Sequence, residues 1–201
     1  MWLAHERYAF LSIFREKLEG TAEFALDLAR LDFGIIASEG TARYLVSQGV
    51  RQAVDIRVLT GKAPAYDHRM ATISWPLFSA ILARELDREE VLKDGYPWID
   101  LVNVEVYPLA DEIAKPSATL ESVREKIDIG GPSALNAAAK SGRLPLIGAS
   151  YRQEVLDCLR NGEEGRTELQ LKLAAKTYQF VSEYYGLAGK YLNDYVRSMS
   201  E

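Results

Sequence analysis

Asp128 stands just before a glycine pair, Gly130 and Gly131, and the pair runs through Pro132 and Ser133 into an alanine-rich stretch that ends at Lys140. Two glycines let a backbone approach another group closely, and Pro suits the first turn of a helix. Free amides at a helix start attract negative charge. Residues 127–140 therefore offer a carboxylate able to accept a proton, an amide-lined anion site and, about two helical turns on, a cation. The competing interpretation is a structural turn with Asp128 as an ordinary cap. A second set, Ser12, Lys17, Ser38, Gly40 and Thr41, combines hydroxyls, a cation and glycine amides, the groups a phosphate wants. Such residues also serve as plain loop caps.

These groups need a scaffold. Residues 8–14 and 33–37 read as strands, as do 53–56, 98–104 and 144–147, each a short apolar run. Between them lie helical patterns: one capped by Thr21, one carrying Ala42, Tyr44 and Leu45, one capped by Ser74, and one from Thr119 to Lys126. Residues 151–160 read as a further helix, and 166–196 as a helical tail with a possible break at Gly186. Residues 57–73 form the longest irregular stretch, of a length that usually serves function, and 87–90 is a solvated charge run. The tail tyrosines Tyr178, Tyr184, Tyr185, Tyr191 and Tyr195 read as packing or a subunit interface rather than as a site. Alternating strands and helices predict an α/β fold with a mainly parallel sheet covered on both faces. Ligands in such folds bind at the carboxyl ends of the strands, where Ser12, Lys17, Ser38, Gly40 and Thr41 fall.

The chain has 201 residues, enough for one domain with a real core. Its 24 basic and 29 acidic residues argue against a broad nucleic-acid or membrane surface. Cys158 is the only cysteine and His5 and His68 are far apart in sequence, so neither a disulfide framework nor a transition-metal site is expected. No apolar run approaches the ~20 residues a bilayer needs, and the amino terminus lacks a signal pattern. The expectation is a cytoplasmic protein.

The order of motifs resembles the IMP cyclohydrolase domain of the bifunctional AICAR transformylase/IMP cyclohydrolase family. LSIF at 11–14 is similar to the family's first-strand ISVS, and ASEGTA at 37–42 to its Ser-Gly-Gly-Thr-Ala. LTG at 59–61, RMAT at 69–72 and ILAR at 81–84 keep its register, and VEVYPL at 104–109 resembles its Asn-Leu-Tyr-Pro-Phe. IDIGG at 127–131, AAAK at 137–140 and LAAKTY at 173–178 complete the series.

The resemblance implies a methylglyoxal-synthase-like three-layer α/β/α sandwich. It implies dehydrative closure of the formamido-imidazole ribotide FAICAR to IMP, in a homodimer, with no cofactor and no metal. The transformylase half is expected to be absent, which calls for a separate AICAR formyltransferase. By matching position, Ser12, Lys17, Ser38, Gly40, Thr41, Arg69 and Thr72 hold substrate and phosphate. Asp128, Tyr107 and Lys140 work at the base ring, and the amides of Ile129, Gly130 and Gly131 make an oxyanion-type contact. Departures stand beside the matches: Ala71 replaces the family's lysine, Ser74 and Phe78 its histidines, Glu105 its asparagine and Glu39 a glycine. Lys62, Arg57 or His68 are the groups able to stand in for that lysine. An enzyme and a ribotide-binding module without turnover both fit this pattern. Methylglyoxal synthase itself fits the motifs less well.

Overall fold

The computed structural model describes residues 4–66 and 69–200. In chain order it contains β1 (Arg7–Ser12), α1 (Thr21–Arg30), β2 (Phe33–Ala37), α2 (Glu39–Ser47), β3 (Val54–Asp55), α3 (Arg57–Thr60), α4 (Trp75–Leu82) and α5 (Arg88–Lys93). Then come β4 (Ile99–Val104), α6 (Leu109–Ile113), α7 (Leu120–Glu125), α8 (Gly130–Lys140), β5 (Leu144–Ile147), α9 (Arg152–Arg160) and α10 (Arg166–Ser198).

The five strands form one sheet in the order β3-β2-β1-β4-β5, every neighbouring pair parallel. β2 and β4 are buried along their whole length, which is why FGIIA and IDLVNV read as continuous rather than alternating apolar runs. The strand period still divides the core. Phe10, Val102 and Val104 face one layer with Leu77, Ile81, Val123, Leu135, Ala138 and Tyr184. Ala9, Leu11 and Leu101 face the other with Phe24, Leu28, Leu45, Val155 and Leu156. The result is an α/β/α sandwich. α10 joins the layers: Leu169 and Leu173 pack on the second, and Tyr184 and Ala188 on the first.

Several local expectations are corrected. Gly20, in the left-handed region at φ 70°, caps α1; Thr21 is its first residue, buried, and its hydroxyl accepts from Arg152 Nη2 at 3.2 Å. β1 stops at Ser12 rather than residue 14, because the Ile13 N–H turns to the Thr41 hydroxyl at 2.9 Å. Within 57–73 the chain first makes α3, ended by Gly61. The charged run at 87–90 enters α5, with Asp87 held by Arg84 and Val91 buried. α10 is one helix of 33 residues, uninterrupted at Gly186. Ser74 and Thr119 do cap α4 and α7, accepting from the amides of Leu77 and Ser122.

Candidate active site

The sheet order reverses direction between β1 and β4, and in such folds the crevice beyond the carboxyl ends at that point receives ligands. Two contacts join the segments that leave β1 and β4 there. The Glu105 N–H donates to the Ser12 carbonyl at 2.9 Å, and the rings of Phe14 and Tyr107 meet edge to face at 5.5 Å. One flank is built from the ends of β1 and β2, the other from the end of β4 and the start of α8.

The second flank holds Asp128. The Gly131 N–H donates to its Oδ1 at 2.9 Å, and the amides of Gly130 and Tyr107 also donate to the carboxylate. The glycines are required here by close packing. A Cβ on Gly131 would stand 2.7 Å from Asp128 Oδ2 and 2.9 Å from Val104 Cγ1, and one on Gly130 would stand 2.6 Å from Thr72 Oγ1. Burial pushes the Asp128 carboxyl above its ordinary value, and the three amides pull it partly back. Beside it, burial and then the Asp128 charge push the Tyr107 phenol up, so Tyr107 stays protonated at neutral pH. Lys126 Nζ lies 5.3 Å over the Tyr107 ring. A half-buried carboxyl with a raised pKa beside a protonated phenol can exchange a proton with a bound ligand. Tyr107, Thr72, Asp128, Gly130 and Gly131 are thus brought together, with Ile129 exposed at their edge.

On the first flank, Ser38 precedes α2 and its Oγ donates to Thr41 Oγ1 at 3.0 Å. Thr41 is buried and its hydroxyl both accepts from Ile13 N–H and donates to Ile13 C=O. It therefore fastens α2 to the end of β1 and is not free for phosphate. Gly40 is exposed at the helix start, and Ser12 closes β1 beside it. Glu39, the carboxylate in question there, pairs with Arg43 at 2.8 Å and lies 3.8 Å from Arg57. Lys17 is exposed, and its charge acts on Glu105. Glu105 packs against Gly148, faces Lys17 and Arg152, and is itself pushed up by burial.

Other expected members stand elsewhere. Lys140 is exposed at the far end of α8, about 15 Å of helix rise from Gly130, so the spacing of about two turns was an underestimate and Lys140 does not reach Asp128. Arg69 is exposed and ion-paired with Glu125. The amides of Gly130 and Gly131 are taken by the Asp128 carboxylate, which fills the anion site at the start of α8 itself. Arg57 is bound to Asp55, Lys62 is exposed, and His68 lies outside the described residues.

Sequence reasoning missed four residues around the site. Asn103, fully buried in β4, donates to the carbonyls of Leu146 and Gly148 and accepts from Arg152 Nε at 2.9 Å. Arg152 is buried at the start of α9, its guanidinium lying over the Phe24 ring. Tyr184 and Tyr185 reach from α10 to the backbone around Asp128. The signal available was a pair of adjacent tyrosines on a buried stripe, since a buried phenol needs a partner. A cavity of about 640 Å³, lined by Arg7, Arg88, Trp98, Asp100, Arg143 and Arg166 among others, opens at the amino ends of the strands, the end of the sheet remote from Asp128.

A model of the MGS-like domain matches residues 20–133, more than half of the chain. The bifunctional purine biosynthesis protein PurH of Chlorobium phaeobacteroides is 33% identical over 189 residues, 90% of this chain and 35% of that protein. PurH of Neisseria meningitidis serogroup C is 33% identical over 179 residues, 86% of this chain and 34% of that protein. The chain thus spans about a third of the length of these relatives. The crystal structure of ForH superposes with a TM-score of 0.78 at 29% identity, covering 94% of this chain and 97% of that one. With its parallel sheet, its helical layers and this similarity over most of its length, the chain belongs to the MGS-like domain family and is a homologue of the purine biosynthesis protein PurH.

Proposed function

We propose that the protein is an IMP cyclohydrolase that closes FAICAR to IMP with loss of water. The observation that carries this reading is Asp128. It is a half-buried carboxylate with a raised pKa, held by three backbone amides at the crevice between β1 and β4. The homology to PurH supports the purine ribotide as the class of substrate.

In the reaction the carboxamide nitrogen bonds to the formyl carbon, and the formyl oxygen departs as water. The two protons of that water come from the carboxamide and the formamido nitrogens. Asp128 accepts the first from the attacking nitrogen. Tyr107, kept protonated by burial and by the Asp128 charge, gives its proton to the formyl oxygen, which becomes a hydroxyl. Protonated Asp128 then passes its proton to that hydroxyl as water leaves, and the formamido N–H proton returns to Tyr107. Ser12 and Ser38, with the free amides at the start of α2, form the phosphate end, and Thr72 borders the ring end beside Gly130. Holding both reacting groups of one ligand in place contributes on the order of 7–11 kcal/mol in favourable cases, so the chemistry does not depend on a full set of charged groups.

A second reading, a module that binds a purine ribotide without turning it over, draws on Ala71 in place of the family's lysine and on the distance of Lys140 from Asp128. Incubation with FAICAR, followed by absorbance for IMP and beside a calorimetric titration with IMP, separates the two. The enzyme turns FAICAR over; the module binds IMP and leaves FAICAR unchanged. The proposal extends to a homodimer and to a separate formyltransferase as the source of FAICAR.

A further inference from the structure

We infer that Tyr184 and Tyr185 of α10 are positioning residues for Asp128, holding the peptide groups on both sides of its side chain so that the carboxylate stays under its amides and facing the crevice. Three hydrogen bonds carry this. The Asp128 N–H donates to Tyr184 Oη at 2.9 Å, and the same hydroxyl donates to the Lys126 carbonyl at 2.9 Å. Tyr185 Oη donates to the Asp128 carbonyl at 3.2 Å. Both peptide groups of one residue are thereby tied to a helix 56 residues further along the chain.

The arrangement goes beyond packing. Ring packing alone would be satisfied by phenylalanine, and Tyr184 already stacks on Phe180 at 6.1 Å and meets the Tyr185 ring at 5.6 Å. The hydroxyls add only contacts to the loop 126–128. The rest of the loop between α7 and α8 has its own partners: the Lys126 and Ile127 amides donate to the Val123 and Arg124 carbonyls, and Ile127 packs on the first core layer. The carboxylate folds back onto the helix it precedes, which leaves the Asp128 N–H and C=O to the two tyrosines. The titratable groups facing Asp128 are Tyr107, Tyr184 and Tyr185, each feeling its charge. The Tyr184 phenol is pushed up to about 12, chiefly by burial, so it keeps its proton for the Lys126 carbonyl across the working pH range. A displacement of the carboxylate by about 1 Å would cost on the order of 100-fold in rate.

The inference rests on Asp128 as the proton acceptor of the proposed reaction, and its test uses one readout that needs no substrate. The Asp128 side-chain carboxyl is titrated by carbon NMR, assigned with Asp128→Asn, in the wild type, Tyr184→Phe, Tyr185→Phe and a control on the same helix, Tyr178→Phe. Amide exchange at Gly130 and Gly131 is followed in parallel, and kcat and KM are measured with FAICAR. Tyr184→Phe is expected to move the Asp128 midpoint down toward the ordinary carboxylate value as water enters. It should speed exchange at Gly131 more than tenfold, and lower kcat about 10- to 100-fold with KM within about threefold. Tyr178→Phe should match the wild type. Should Tyr184→Phe fail to fold, Tyr185→Phe carries the same tests with smaller shifts. An Asp128 titration and Gly131 exchange in Tyr184→Phe equal to those of Tyr178→Phe would overturn the inference, as would an unchanged kcat. A moved titration with no turnover in any variant would instead keep the tyrosine clamp and remove the cyclohydrolase reading.

Discussion

Asp128 holds the start of α8 through the amides of Gly130 and Gly131, and its half-buried carboxyl, raised by burial, is the base of the proposed reaction. Asp128→Asn keeps the hydrogen-bond acceptor and loses the base, so turnover should fall on the order of 10²- to 10⁴-fold while IMP affinity stays within a few-fold. Equal loss of both in steady-state kinetics and calorimetry would reduce Asp128 to its capping role. The raised carboxyl also sets a sign for stability. The folded state binds the Asp128 proton more tightly than the unfolded chain, so this group's stabilising effect is greatest at low pH and declines as pH rises from the ordinary carboxylate value to the raised native one. Thermal unfolding of the wild type and Asp128→Asn across that window should show a steeper decline in the wild type. Glu105, raised by burial as well, contributes in the same direction to both proteins. Gly131→Ala drives a methyl into Asp128 and Val104, and we expect about 1–3 kcal/mol of destabilisation together with lost turnover.

At the scale of elements, α10 links the two core layers and carries the tyrosines that reach Asp128. It runs helical through Gly186, where an added Cβ meets nothing within 4 Å. Gly186→Ala should therefore stabilise by about 0.5–1 kcal/mol, a rise of roughly 1–4 °C in Tm by calorimetry. A fall in Tm would mean a non-helical backbone there. Much of this level was legible in the sequence because it is local. Residues 33–37 and 144–147 are strands, Ser74 and Thr119 are caps, and the glycine pair opens a helix, each fixed by composition within a few residues. The cap of α1 moved from Thr21 to Gly20 because Arg152, distant in sequence, takes the threonine hydroxyl. Likewise nothing within either segment tells that Tyr184 meets Asp128, or that Thr41 turns to the Ile13 peptide instead of to a ligand. The misplacement of Lys140 was a matter of counting: eleven residues of α8 carry it to the other end of the sheet.

On the scale of the whole molecule, the cavity and the candidate site lie at opposite ends of the sheet. At the amino ends of the strands Asp100 is held by Arg166 at 2.6 Å and lies 3.7 Å from Arg7, and Glu163 pairs with the same two arginines. This closed ion-pair network ties β1, β4 and the start of α10 together beside the cavity. We assign it to stability. Asp100→Asn should cost about 3 kcal/mol, since it leaves partly buried arginines short of a partner, and roughly 6–12 °C in Tm, with kcat unchanged below the transition. A loss of kcat without a loss of Tm would move the working site to that cavity. We propose the chemistry instead at the carboxyl ends, where the strand order reverses and the ends of β1 and β4 meet through the Glu105–Ser12 hydrogen bond and the Phe14–Tyr107 contact. The most direct test is to mix the purified protein with FAICAR and follow the appearance of IMP by absorbance, in the wild type and in Asp128→Asn. Turnover in the wild type that collapses in Asp128→Asn is the predicted result. IMP formed equally fast by both, or by neither while IMP still binds, would contradict the assignment of Asp128 as the base of a cyclohydrolase.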